Sequence, residues 1–179
     1  MQLIFIEKVK SNREAFAAKV IEVSNKLGID PNWLMIIMYF ESGISHTIVN
    51  PDGGATGLIQ FMPNTAKSLG TTTTALATMS NVQQLDYVYK YFKPKAGQYG
   101  SGEDLYLYTF FPLAVGKPDD WTIQTKNLSA YNIAHQNPVL DLNKDGKITV
   151  GEWREALRKN LSKMIKDKAI FNIFFKKKV

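Results

Sequence analysis

The chain has 179 residues, which fits one compact domain with at most a small appended module. A hydrophobic share of 45% argues against disorder, and the absence of cysteine excludes both disulfides and thiolate-bound zinc. The net charge of +6 favours polyanionic partners, such as an anionic cell wall, nucleic acid or anionic lipid.

Two helices are predicted within the first forty residues. Residues 11–14 (Ser-Asn-Arg-Glu) match a capping box, and Gly28 ends the helix that follows it. Asp30 and Pro31 are typical of the N-cap and first residue of a second helix. Because residues 33–40 are apolar on every face, we expect this second helix to be central and buried.

The rest of the first hundred residues predicts short helices around one small β-hairpin. Turn residues at 50–54 follow β-branched residues at 47–49, which favours the hairpin. Pro63 opens a short helix that closes at Gly70, and a Thr-rich linker follows it. Residues 80–83 cap a further helix, and another helix is predicted from about Glu103 to Pro112. The fold class is therefore mainly α.

Glu41 is the residue on which a catalytic interpretation depends. It lies at the C-terminal end of the apolar second helix, where the negative end of the helix and apolar neighbours both disfavour a charged carboxylate. We therefore expect a raised pKa, and a carboxyl group that stays protonated can act as the general acid in glycosidic cleavage. The alternative is a glutamate that points into solvent or pairs with a lysine.

Residues 41–43 (Glu-Ser-Gly) and 54–66 (Gly-Ala-Thr-Gly-Leu-Ile-Gln-Phe-Met-Pro-Asn-Thr-Ala) carry a family resemblance. In order and spacing they resemble the lytic transglycosylase and goose-type lysozyme families, in a phage-associated variant. The resemblance implies a lysozyme-like α+β fold and cleavage of the β-1,4 bond between N-acetylmuramic acid and N-acetylglucosamine in peptidoglycan. It implies that Glu41 is the catalytic acid. The implied substrate-binding residues are Ser42, Gly57, Gln60 and Met62.

The family also has an Ala-Tyr-Asn motif, whose tyrosine hydrogen-bonds the catalytic glutamate. Residues 130–132 carry it literally, but they lie later in the chain than the family pattern implies. Tyr106 and Tyr108, followed by residues 112–116, lie at a more natural distance and resemble a variant in phage-associated members. We therefore favour Tyr106 or Tyr108, with Tyr131 as the rival; an ordinary core tyrosine is the alternative for each.

A second carboxylate would decide the chemistry, because both inverting and retaining hydrolases use a pair. Asp52 is the one acid between Glu41 and Glu103, and the sequence of residues 50–53 explains it as a turn residue. Without a second acid, Glu41 serves as acid and then base, and the N-acetyl group of the substrate stabilises the cation. Deprotonating the C6 hydroxyl of the sugar gives a 1,6-anhydro product, the lytic transglycosylase outcome. Deprotonating water makes the enzyme a muramidase or, on the same scaffold, a chitinase.

Residues 141–152 match an EF-hand calcium loop at every position, with Gly146 at the sharp turn. The predicted Ca²⁺ ligands are Asp141, Asn143, Asp145, Lys147 through its backbone carbonyl, Thr149 and Glu152. An apolar pattern from Trp153 to Leu161 predicts the exiting helix. Because Pro138 compromises the helix before the loop, we expect a structural role for calcium. Some lytic transglycosylases also carry one EF-hand, so the resemblance accommodates the loop.

These predictions describe a monomer with a lysozyme-like transglycosylase domain at residues 1–135 and an EF-hand loop and helix at 136–179, packed on the same domain. We expect it to act on peptidoglycan strands in the periplasm or outside the cell, without nucleic acid or a transmembrane segment. No signal peptide is visible, which favours a phage lysin, a virion-associated enzyme or an enzyme delivered by a secretion apparatus. The rival from another class is a calcium-dependent, non-catalytic module that binds the wall or builds a phage tail.

Overall fold

The computed structural model describes residues 3–177 of the chain. It divides into two compact units, Met1–Gly102 and Glu103–Val179. Both are mainly helical in their described residues, which confirms the predicted class. The predicted domain limit between residues 135 and 136 stays a prediction. The first two residues of the first predicted domain and the last two of the second lie outside the described part.

The first unit is built around one buried helix. Its α-helices, within the described residues, are α1 Arg13–Leu27, α2 Pro31–Ser42, α3 Pro63–Ser68, α4 Thr73–Thr78 and α5 Asn81–Phe92. Helix α1 packs against both α2 and α5. Residues 34–38 of α2 are fully buried, as the uniformly apolar sequence predicted. This core fixes the end of α2, where Glu41 lies.

Two of the three predicted N-terminal helix caps are confirmed. The Asp30 side chain accepts a hydrogen bond from the Asn32 N–H at 2.8 Å, and Ser80 forms a capping box with Gln83. The capping box predicted at residues 11–14 is wrong. Helix α1 begins after Asn12, which is left-handed and makes no side-chain cap. The side-chain Nδ2 of Asn12 donates to Oδ1 of Asn81 on α5 at 3.3 Å.

The stretch between α2 and α5 differs from its prediction in two places. Instead of a β-hairpin ladder, its described residues form isolated antiparallel bridges, Val49 to Thr56 and Thr56 to Phe61, so the hairpin is not confirmed. The predicted Thr-rich linker is wrong in part, because it contains α4. The Thr72 hydroxyl accepts the Ala75 N–H at 3.0 Å as the N-cap of this helix. The α4 side chain of Leu76 is fully buried, so tertiary packing overrides the weak helix propensity of threonine.

The second unit carries four further helices in its described residues: α6 Gly102–Phe110, which begins at the last residue of the first unit, α7 Ala130–Gln136, α8 Val150–Met164 and α9 Lys168–Phe175. Helix α8 is the predicted exiting helix of the 141–152 loop. Helices α7 and α9 were not predicted. Among residues 3–177, no helix combines the length and the apolar character that crossing a membrane requires.

A partly buried cluster of ion pairs ties α6 to α8. The Glu103 carboxylate, whose side chain is 3% exposed, accepts one hydrogen bond at 3.1 Å from each of two nitrogens of Arg158. Arg154 donates to Asp104 at 2.8 Å and also pairs with Asp119. Burial raises the pKa of Glu103, and the two arginines oppose this rise. The start of α6 is therefore held by paired charges, and removing one partner would leave the other unpaired in a poorly solvated place.

The raised pKa of Glu103 gives a pH prediction with a definite sign. The folded chain binds this proton more tightly than the unfolded chain does. The contribution of Glu103 to the free energy of unfolding should therefore rise as pH falls through the folded-state pKa towards the ordinary value of 4.5. The variant Glu103→Gln cannot titrate, so urea unfolding of both proteins across this interval isolates the effect. A wild-type-minus-variant difference that falls as the medium becomes more acidic would contradict the prediction.

Candidate active site

The end of helix α2 presents Glu41 next to a tightly held turn. Glu41 is half-buried and is followed by Ser42, the last residue of the helix. Gly43 caps the helix in a left-handed conformation, with its N–H bonded to backbone carbonyls of the last turn. The glutamate is therefore carried by a rigid and otherwise buried element.

Ser42 joins this helix end to the segment that carries the Gly-Leu-Ile-Gln sequence. Its hydroxyl lies 3.0 Å from the Met38 carbonyl oxygen and 2.9 Å from the Leu58 carbonyl oxygen, and it accepts the Ser45 N–H at 3.1 Å. The Ser42 residue is 9% exposed. Its hydroxyl is thus committed to positioning the backbone of residues 57–60 beside the end of α2.

Residues 56–61 form a compact reversal. Thr56 and Phe61 exchange two backbone hydrogen bonds, and both Gly57 and Gln60 have positive φ. The Gln60 side-chain amide donates to the Gly57 carbonyl at 3.1 Å. Met62 follows as the N-cap residue of α3 and is 52% exposed. The first unit therefore gathers four predicted binding residues (Ser42, Gly57, Gln60 and Met62) into the segments that follow Glu41.

Gln84 is a residue of this site that the sequence reasoning missed. It is fully buried on α5, and its Oε1 accepts the Leu58 N–H at 3.0 Å. Its Nε2 donates to the carbonyls of His46, at 2.6 Å, and Leu76, at 2.7 Å. A Cβ on Gly57 would lie 2.9 Å from the amide carbon and nitrogen of Gln84, and closer still to its oxygen. Glycine at 57 is therefore required for both its conformation and its space.

Asp52 lies in an exposed turn. The Asn50 side chain accepts the Asp52 N–H at 2.9 Å, and the Gly54 N–H donates to the Asn50 carbonyl at 2.9 Å. These are the local hydrogen bonds for which Asn and Asp are favoured in turns. These turn contacts are enough to explain why an aspartate occupies position 52, without a role in catalysis.

The three candidate tyrosines all belong to the second unit. Tyr106 and Tyr108 lie on α6, and burial raises the pKa of Tyr108, which keeps its phenol neutral. Tyr106 packs edge-on against Trp153 with ring centroids 6.3 Å apart. Tyr131 lies on α7, is 66% exposed and stacks on His135. The assignment of one of them to Glu41 stays a prediction.

The 141–152 loop has the internal hydrogen bonds of a tight, oxygen-lined turn. Backbone N–H groups donate to side-chain oxygens of Asp141, Asn143 and Asp145 at 2.9 Å each, and Gly146 has a φ of 81°. Glu152 reaches both the loop and the start of α8. One of its oxygens accepts the N–H and the hydroxyl of Thr149 at 2.9 Å each, and the other accepts the Asn143 N–H at 3.3 Å.

The donor atoms of this loop are of the kind that a hard cation prefers. The offered atoms are carboxylate, amide, hydroxyl and carbonyl oxygens, which suit a hard ion such as Ca²⁺. Within residues 3–177, however, no three His, Cys, Asp or Glu side chains converge in an arrangement that could hold a metal ion. The donor set fits calcium, and Glu152 both caps α8 and accepts the Asn143 N–H of the loop.

Comparison with known families identifies a domain that covers most of the chain. The model of the transglycosylase SLT domain matches residues 19–138, which is about two-thirds of the chain and includes Glu41, the 56–61 reversal and all three candidate tyrosines. The chain belongs to this family, whose members are peptidoglycan-cleaving glycosidases, and this confirms the resemblance to lytic transglycosylases. Searches of the curated proteins and of the solved structures gave no match.

The contact between Gly57 and Gln84 predicts the effect of one added methyl group. Gly57→Ala meets both a φ of 78° and the Gln84 amide, whereas Gly70→Ala meets a φ of 77° with no atom within 4 Å. The backbone penalty alone should cost Gly70→Ala about 1–2 kcal/mol of unfolding free energy. Gly57→Ala should lose about 1–3 kcal/mol more through overpacking, as measured by urea denaturation. Equal losses in the two variants would show that Gln84 does not constrain this turn.

Proposed function

We propose that the chain cleaves the β-1,4 bond between N-acetylmuramic acid and N-acetylglucosamine as a lytic transglycosylase, with Glu41 as general acid and then base. Membership of the SLT family supports peptidoglycan as the substrate. The observation that carries the proposal for Glu41 is its half-buried place at the end of α2, beside the turn that Ser42 holds through the Leu58 carbonyl. Partial burial keeps a carboxyl group protonated more readily than full exposure does.

The reaction then needs one carboxyl group for two proton transfers. Protonated Glu41 gives its proton to the glycosidic oxygen while the bond from that oxygen to C1 of the muramyl residue breaks. The N-acetyl group of the same sugar stabilises the positive charge that develops at C1. The Glu41 carboxylate then removes the proton of the C6 hydroxyl, and O6 bonds to C1. The products are a 1,6-anhydromuramyl end, a new non-reducing N-acetylglucosamine end and a regenerated Glu41.

The turn beside Glu41 supplies candidate contacts to the sugar. The Gln60 Nε2 group is engaged by the Gly57 carbonyl, and within the described residues Gln60 Oε1 accepts no hydrogen bond. We expect this oxygen to accept a hydrogen bond from a substrate hydroxyl or amide. The exposed thioether of Met62 offers an apolar surface next to it.

We also propose that Ca²⁺ binds the 141–152 loop. The side chains of Asp141, Asn143, Asp145 and Glu152, the carbonyl of Lys147 and the Thr149 hydroxyl would hold it. The loop leads directly into α8, and α8 is paired with the start of α6 through Glu103. An ion here would therefore stabilise the second unit and would take no part in the proton transfers.

Glu41→Gln tests the catalytic assignment. An amide cannot donate a proton at neutral pH, so clearing of purified peptidoglycan should fall by at least about a hundredfold, which is the usual contribution of a general acid. The urea midpoint should change little, because the two side chains have nearly the same volume. Clearing at the wild-type rate would reject Glu41 as the acid and favour a non-catalytic, wall-binding module.

Asp52→Asn is the matched control for a second carboxylate. If Glu41 acts alone, this exposed turn variant should keep the wild-type rate, and a loss similar to that of Glu41→Gln would place Asp52 in the reaction. Mass analysis of the released fragments shows whether O6 of the same sugar or a water molecule has bonded to C1. A fragment lighter by one water indicates the anhydro product, and reducing ends alone would show hydrolysis by a muramidase.

Removal of calcium should lower the melting temperature, since an ion that binds only the folded state stabilises it by mass action. A chelator added to the wild type should reduce the melting temperature, and returning calcium, but not an equal concentration of sodium chloride, should restore it. Asp145→Asn should weaken this response, while its remaining side-chain oxygen can still accept the Lys147 N–H. A melting temperature that is the same with and without chelator would reject calcium at this loop.

A further inference from the structure

The first unit contains a cavity of about 410 Å³, and part of its lining is the segment that directly follows Glu41 in the sequence. It is lined by Lys8, Lys10, Ser11, Asn81 and the consecutive residues 42–48. Its volume is within the range of small-ligand sites. The segment that contributes Lys8, Lys10 and Ser11 precedes residue 19, so it lies outside the part of the chain that matches the SLT family. The residues that line this side of the cavity therefore lie outside the family match.

Both walls of the cavity are fixed to helix α5 by buried amides. Asn81, which is 2% exposed, donates to the Ser11 carbonyl at 2.8 Å and thereby holds the wall formed by Lys8, Lys10 and Ser11. Gln84, one turn further along α5, donates to the His46 carbonyl and holds the wall formed by residues 42–48. Residues three apart lie on the same face of a helix, so one face of α5 supports both walls. The cavity is thus preformed, and a ligand does not have to order it on binding.

The charge of the lining is positive and unbalanced. Val9 is buried at 1% exposure, and the lysines on either side of it, Lys8 and Lys10, both line the cavity. Within the described residues neither ammonium group forms an ion pair, and the lining contains no Asp or Glu. Two adjacent ammonium groups in a concave site attract an anion.

The remaining polar groups suit an oxyanion. Ser45 and Thr47 have hydroxyl oxygens 3.4 Å apart, and hydroxyl groups can donate hydrogen bonds to carboxylate or phosphate oxygens. Burial lowers the pKa of His46, so its imidazole is neutral near pH 7 and offers one N–H donor. Lysine ammonium groups bind such oxygens as point charges.

We propose that this cavity binds an anionic group of the cell-wall polymer, a carboxylate or a phosphate, while the glycan strand is held at Glu41. The proposal rests on the proposed function for its choice of polymer. The carboxylates of the peptide stems and the phosphates of wall-linked polymers are the two sources of this chemistry in a bacterial wall. The cavity would then select wall material that carries the anion over bare glycan.

The two histidines of the chain allow a direct binding test that does not depend on turnover. His46 lines the cavity and His135 lies in the second unit, so the imidazole NMR signals give a probe and an internal reference. In the Glu41→Gln protein, inorganic phosphate and a soluble stem peptide with free carboxylates are titrated in separate experiments. A saturable shift of the His46 signals with at least one of them is expected, with His135 unchanged, and the stronger binder identifies the source.

A charge-matched pair of double variants completes the test. Lys8→Gln with Lys10→Gln should weaken the binding seen at His46 by at least about tenfold and raise KM for the matching wall polymer. Lys67→Gln with Lys126→Gln removes the same charge from exposed positions that do not line the cavity, and it should leave both values unchanged. No His46 shift with either probe, or equal weakening in both double variants, would overturn the anion site. Failure of the proposed function is separate, because it appears as an inactive wild type on every wall preparation.

Discussion

The arrangement of the first unit depends on the amide of Gln84. This one buried side chain serves three backbone groups, the Leu58 N–H and the carbonyls of His46 and Leu76. No other described side chain bonds to these three groups. The Leu58 N–H and the His46 carbonyl would each cost about 1–3 kcal/mol if left buried and unpaired, whereas the Leu76 carbonyl also accepts the Met79 N–H at 3.1 Å. Through Leu58 the amide fixes the turn beside Glu41, and through His46 it fixes a wall of the cationic cavity.

The same amide explains why the turn tolerates so little variation. Gly57 has to approach Gln84 without a side chain, and Ser42 has to reach the Leu58 carbonyl from the end of α2. The position of the candidate acid relative to the Gly-Leu-Ile-Gln segment is therefore set by hydrogen bonds between three separate parts of the chain. Such preorganisation is what a site needs if its groups are not to reorganise during the reaction.

Features with a local cause were predictable from the sequence. The Asp30 and Ser80 caps, the buried α2 and the end of α1 at Gly28 all follow from residues within one turn of the feature. The predictions failed where a distant residue decided the outcome. Asn12 has a left-handed backbone that does not suit an N-cap, and its Nδ2 donates to Asn81, 69 positions away. The packing of Leu76 converts a Thr-rich segment into a helix.

The candidate site shows the same division. The motif around Glu41 and Gln60 marked the segment that matters, since both residues lie in a recognisable local pattern. Gln84 and Asn81 carry no such signal, because a glutamine or an asparagine on an amphipathic helix is ordinary until the partners it meets in the fold are known. The cationic cavity was equally invisible, since Lys8 and Lys10 are far in sequence from residues 42–48.

Glu152 links two properties of the second unit that are usually considered separately. The same carboxylate is the twelfth residue of the oxygen-lined loop and the group that caps α8. An ion that draws on this carboxylate and a helix that begins at it cannot be independent, and thermodynamic linkage makes their effects on each other equal. A cation bound in this loop, as proposed, would therefore have an affinity set partly by how firmly α8 begins, and mutations along that helix would tune this affinity without touching a ligand.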